Sequence, residues 1–182
     1  MTKLALQKGD IVVATARKPE VLDDLKAEYP SSQLITLELD VSNPQHVKDA
    51  FRQTKASFGR VDVVFSNAGY GVLGEVEATP EDEARAMFDT NFWGAATVGR
   101  EAIRFFREEN TPSGGHLINV TSQAGVHAWP GLGYYAASKH GKPVTTLFFI
   151  ESIATLSSYS LRGLDGLIRC RTGSRLEHQS QN

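Results

Sequence analysis

Cysteine is nearly absent: Cys170 is the only one in 182 residues. An internal disulfide framework is thereby excluded, and a reducing, cytoplasmic setting is the expectation. Long hydrophobic runs are missing as well. No stretch approaches the roughly 18 apolar residues of a spanning helix, so no membrane partner is expected, and the apolar stretch in MTKLALQKGD is too short for a signal peptide. An excess of positive charge is also lacking. With 19 Lys and Arg against 21 Asp and Glu, the net charge of -2 leaves no basic stripe for nucleic acid. The histidines at 46, 116, 127, 140 and 178 show no ligand spacing, so no metal is expected, and no G-x-S-x-G elbow surrounds a serine. Neither an internal repeat nor a low-complexity tract is present.

What is there is 41% apolar and 22% charged, the balance of a globular domain with a sizeable core. From Asp10 to Ser122, short β-branched runs alternate with longer amphipathic stretches, the mark of βαβ units and a parallel sheet. The runs IVVATA (11–16), QLITLEL (33–39), VDVVFS (61–66) and HLINVT (116–121) are apolar on both sides and are expected to be buried parallel strands of one sheet. Between the second and third, Asn43 and Pro44 supply an N-cap and an N1 proline. Val47, Ala50, Phe51, Thr54 and Phe58 recur at helical spacing, and Gly59 closes the end. Thr79 and Pro80 repeat this grammar and are expected to open a long helix reaching about Glu109.

The two ends depart from the pattern. Residues 1–9 read as the last two turns of a helix closed by Gly9. Beyond Gly141, Pro143 would remove the helical bond to the carbonyl of Lys139, and the polar, aperiodic stretch from Leu161 is expected to be disordered. The expected division is a domain over 1–150 and a divergent tail over 151–182.

Tyr135 and Lys139 stand at i and i+4, so on a helix their side chains share one face, while Tyr134 points about a quarter-turn away. A free phenol is a poor proton-transfer group at neutral pH, and a neighbouring cation favours its charged form. By itself the spacing is also a common accident. Ser122 ends the fourth strand thirteen residues before Tyr135, and the small-residue loop between them can bring its hydroxyl to the same substrate oxygen. Asn67, Ala68 and Gly69 follow the third strand, and open α/β sheets bind ligands at those carboxyl ends.

The motifs LDV (39–41), NAG (67–69), FDTN ending in Asn91, Ser122 and YAASK (135–139), in this order and spacing, resemble the short-chain dehydrogenase/reductase family. That resemblance covers roughly residues 1–140. It implies a doubly wound parallel sheet of Rossmann-like α/β fold and NAD(P)-dependent oxidoreductase activity on a small-molecule carbonyl or alcohol, in a family often homo-oligomeric. It makes Tyr135 the proton donor or acceptor and Ser122 the group that orients and polarises the reacting oxygen. Lys139 would favour the tyrosinate and bind the nicotinamide ribose, and Asn91 would anchor a water in the proton relay. Asp40 and Val41 would meet the adenine, with Asn67, Ala68 and Gly69 along the adenosine half. Taken alone, Asn91 reads equally well as a polar residue bending a helix.

Arg17 directly follows the first strand, where an acid would bind the ribose 2′-hydroxyl of NAD and an arginine would accommodate a 2′-phosphate. With Lys18 beside it, NADP is the expected cofactor over NAD; the bland alternative is two surface cations at a strand end. Gly69, Gly71 and Gly74 spell G-x-G-x-x-G after a strand, but no helix opens directly behind them, so they read as a flexible approach to the site and not as a phosphate loop.

The family's glycine loop would follow a strand ahead of TKLALQKG, placed between IVVATA and VDVVFS. The sheet is therefore expected to be incomplete at its first strand and after its fifth, as in a family member cut short at one end and replaced at the other. Two functions compete: an NADP-dependent oxidoreductase interconverting a ketone and a secondary alcohol, and a truncated, catalytically inactive relative with at most a binding role. An extended epimerase or dehydratase also shares YxxxK, but NAG and the thirteen-residue spacing favour the reductase type.

Overall fold

The computed structural model describes residues 1–142. The separate tail expected over 151–182 and the break expected at Pro143 lie outside the described residues. Helix α1 (Thr2–Gln7) ends at Lys8 and Gly9, the latter at φ +83°, and leads into β1 (Val12–Ala16). A 3-10 turn (Pro19–Leu22) and α2 (Asp23–Glu28) then return the chain to β2 (Leu34–Glu38). Next come α3 (Pro44–Phe58) and β3 (Val63–Ser66), then α4 (Glu81–Phe88), a π-helical turn (Asp89–Gly94) and α5 (Ala95–Glu108). Strand β4 (His116–Asn119) and a 3-10 turn (Gln123–Gly125) precede α6, helical over residues 133–142.

All four expected strands form, each within two residues of its anticipated ends. They do not form one sheet. β1 pairs in parallel with β2, from Val12 opposite Leu34 to Ala16 opposite Glu38, and β3 pairs in parallel with β4, from Val63 opposite His116 to Ser66 opposite Asn119. Between β1 and β3 no described strand intervenes, and their facing edges line a common slot. The physical reason is that each strand hydrogen-bonds to one neighbour only, so nothing carries the ladder across.

Each half keeps its own core. Ala5, Leu6, Val12, Ala14 and Leu34 pack together on one side. On the other, Val41, Val47, Phe51, Val61, Val98, Ala102, Phe105 and Phe106 form a larger cluster, with the rings of Phe51 and Phe105 5.7 Å apart. Helix α3 starts as its sequence dictates: the Asn43 side chain accepts from the Gln45 amide, Pro44 takes the first helical position, and Gly59 at φ +77° ends it. Such a cap is worth about 1 kcal/mol.

Thr79 does not cap α4. Its hydroxyl donates to the carbonyl of Glu75 at 2.8 Å, and the helix opens at Pro80 without a side-chain cap. The long helix expected to follow is interrupted, because residues 89–94 widen into a π turn before α5 resumes.

Candidate active site

The π turn presents Asn91, which is fully buried. A π turn inserts an extra residue into the helical repeat and re-aims one side chain, a device found at functional positions. Asn91 Oδ1 accepts from the Tyr70 amide at 3.0 Å, while its Nδ2 donates to the Tyr70 carbonyl at 2.8 Å and to Ser138 Oγ at 3.0 Å. The loop after β3, the π turn and α6 are thereby joined at one side chain. Ser138 in turn donates to the carbonyl of Tyr135 at 2.8 Å.

On α6, Lys139 Nζ stands 5.6 Å from the centroid of the Tyr135 ring, and Lys139 is buried. The i, i+4 pair expected from the sequence therefore shares one face. Ser122 caps the 3-10 turn, its Oγ accepting from the Ala124 amide at 3.2 Å. The residues around it seat on α6: Thr121 Oγ1 donates to the Lys139 carbonyl at 3.2 Å, and a Cβ on Gly125 would come within 2.7 Å of that same oxygen.

Arg17, Asp40, Val41, Asn67, Ala68 and Gly69 all line one cavity of about 550 Å³, which continues into the slot between β1 and β3. Six residues drawn from the carboxyl ends of three strands thus converge, where open α/β sheets place their ligands. Hydrogen bonds from the Ser42 hydroxyl and amide hold the Asp40 carboxyl below its ordinary range, with Arg17 and His46 adding to the effect. Arg17 and Asp40 both face this cavity.

Lys139 approaches this cavity at Gly69, which lines it, whereas Tyr135, Ser122 and Asn91 are not among its lining residues. A Cβ on Gly69 would lie 2.8 Å from Asn91 Oδ1 and 2.9 Å from Lys139 Nζ, and one on Gly71 would lie 3.1 Å from the Tyr135 ring. No helix opens behind them before Glu81. Gly69 and Gly71 are thus sites of close approach, where the loop backbone packs directly on side chains of the site, while Gly74 lies against Thr79.

Two side chains of this region were not singled out from the sequence. Ser138 lies three residues after Tyr135 on the inner face of α6, a spacing that marks it in retrospect. Lys142 is also fully buried, donating to the carbonyls of Ser66 at 3.3 Å and Ala68 at 3.5 Å at the end of β3. Burial, with the charge of Lys139 adding to it, pushes its ammonium down to about 8. Its position four residues after Ser138 was the available clue.

Residues 1–149 match the profile of the short chain dehydrogenase family. An uncharacterized oxidoreductase of Schizosaccharomyces pombe is 38% identical over 139 residues, covering 76% of this chain and 45% of the relative. A 3-ketodihydrosphingosine reductase of Bacteroides thetaiotaomicron is 32% identical over 133 residues, 73% of this chain and 45% of its own length. Among solved structures, a short-chain dehydrogenase from Streptomyces avermitilis superposes with a TM-score of 0.78 at 31% identity, over 84% of this chain and 55% of that one. The chain spans about half the length of the curated relatives it matches. With the family profile running through both half-sheets and the Tyr135 helix, the chain belongs to the short-chain dehydrogenase family.

Proposed function

We propose that the protein is an NADP-dependent oxidoreductase of the cytoplasm that interconverts a ketone and a secondary alcohol, with Tyr135 as general acid and base. The observation that carries this reading is the junction of Tyr135, Lys139 and Asn91 around Gly69 and Gly71, with Gly69 also on the wall of the cavity at the strand carboxyl ends. Asp40, Val41 and Asn67–Gly69, all on the cavity wall, would border the adenosine half of a dinucleotide. When bound, the nicotinamide cofactor supplies a hydride to the carbonyl carbon, or takes one from the carbinol carbon in the reverse direction.

The chain's own groups handle the proton. In reduction, Tyr135 gives its phenolic proton to the substrate oxygen as the new C–H bond forms, and water restores it. Ser122, whose Oγ already accepts from Ala124, can point its O–H at that oxygen and steady the developing negative charge. Lys139 places its ammonium over the Tyr135 ring, and Asn91 holds the Tyr70 backbone and Ser138 so that this helix face stays aligned. General acid-base catalysis of this kind contributes about 100- to 10,000-fold. The reductase name of the Bacteroides relative agrees with a ketone as substrate. Arg17 on the cavity wall favours the 2′-phosphate of NADP.

The test is ketone-dependent NADPH oxidation by the wild type and by Tyr135→Phe, with cofactor affinity measured in parallel. Loss of turnover with unchanged NADPH affinity supports the reading, and full turnover in the variant rejects it. The open slot between β1 and β3 favours a second reading, a relative that binds no cofactor and does no chemistry. Saturable NADPH binding in a fluorescence titration would exclude it.

A further inference from the structure

Nine large apolar side chains are exposed among the described residues, and five of them lie in two short loops: Tyr70, Leu73 and Val76 after β3, and Val126 and Trp129 before α6. Single exposed apolar residues need no explanation, but a group of this size rimming a site does. Leu73 is 79% exposed and Val126 82%. The two loops are one structure. The Gly74 amide donates to the Gly131 carbonyl at 2.9 Å, Leu73 Cδ1 lies 3.2 Å from where a Gly131 Cβ would be, and Val76 Cγ2 lies 2.7 Å from that of Gly133. Both loops end at the site, since Gly71 rests on the Tyr135 ring and Ser122 begins the second segment. Trp129 makes an edge contact with His127, their rings 5.3 Å apart.

Charge narrows the occupant further. No lysine or arginine occurs in residues 70–79 or 122–138, while Glu75 and Glu77 flank Val76. Among the described residues of this rim no lysine or arginine would pair with a carboxylate or phosphate on a substrate, and the two acids would repel one.

We infer that the substrate carries its carbonyl or carbinol on a bulky, uncharged apolar skeleton, which lies on the lip formed by Leu73, Val76, Val126 and Trp129. This inference rests on the carbonyl chemistry proposed for Tyr135. The lip supplies what a small ketone does not need: exposed apolar side chains on the two segments that lead to Tyr135 and Ser122, so that covering the skeleton orients the oxygen toward them. Removing one covered side chain is expected to weaken binding on the order of tenfold.

The test is equilibrium dialysis of dicyclohexyl ketone and of acetone against the full chain, with and without oxidised NADP, so that binding is read without turnover. Wild type is expected to bind dicyclohexyl ketone at least about tenfold more tightly than acetone. Leu73→Ser combined with Val126→Ser, both on exposed positions, should abolish that difference while leaving NADPH affinity unchanged. Equal affinity for the two ketones in wild type, or an undiminished preference in the double variant, overturns the inference. So does a double variant that only dissociates an oligomer in sedimentation, which would make the lip a self-association face. If Tyr135→Phe keeps full turnover while the double variant loses ketone binding, the lip stands and the catalytic reading falls.

Discussion

Asn91 and Ser138, 47 residues apart, are hydrogen-bonded at 3.0 Å in the buried centre of the site. That contact ties the π turn to the helix bearing Tyr135 and Lys139, and the other bonds of Asn91 tie both to the loop at Tyr70. Replacing Asn91 with Leu leaves the Tyr70 amide and carbonyl without their side-chain partner. An unsatisfied buried group costs about 1–3 kcal/mol, so the variant is expected to lose at least that much stability in urea denaturation. Asn91→Leu as stable as wild type would remove this side chain from the framework of the site.

Gly69 carries no positive φ, so its role is clearance. A methyl there meets Asn91 Oδ1 and Lys139 Nζ inside 3 Å, and both groups are buried. Gly69→Ala is expected to cost about 1–3 kcal/mol, the usual penalty of overpacking, and to weaken NADPH binding by displacing Lys139. Thermal unfolding and a cofactor titration on the same sample measure both.

Lys142 makes stability depend on pH in a set direction. Its folded-state value of about 8 lies below the roughly 10.4 of an exposed lysine, so the folded chain holds the charged form less readily than the unfolded chain. The penalty is fully present below pH 8 and is relieved as pH rises from about 8 to about 10.4, a window in which the unfolded chain binds the extra proton. Relative to Lys142→Met, wild type is therefore expected to gain stability between pH 7 and about pH 9.5. Parallel denaturation curves for the two proteins across that range, with a constant gap, would contradict it.

Arg17 provides the handle on cofactor choice. Hydrogen bonds to a charged group are worth about 1.5–3 kcal/mol, so Arg17→Ala should raise the dissociation constant for NADPH about 10- to 100-fold and leave that for NADH nearly unchanged. Equal weakening of both cofactors would mean that Arg17 does not meet the 2′-phosphate.

Much of this was legible in the chain itself, wherever the cause is local. The β-branched runs became strands, Asn43, Pro44 and Gly59 bounded α3, and the four-residue spacing of Tyr135 and Lys139 put them on one helix face. Thr79 shows where local reading failed: the residue type suits a cap, but its hydroxyl found the nearer carbonyl of Glu75. Asn91 had read as a polar residue that could bend the helix, but the form of the bend, a π turn over DTNFWG, was not legible from composition.

The sequence by itself determined the elements and the chemical character of the site, because propensity, capping and helical spacing act over a few residues. Only the tertiary structure decided that the strands divide into two pairs around a slot, and that Asn91 is aimed at Ser138. It also decided that Gly69 is pressed against Lys139, and that Lys142 is buried on the end of β3. Each of those outcomes depends on how segments about 20 to 80 residues apart pack together, and packing of that kind leaves no periodic trace in either partner.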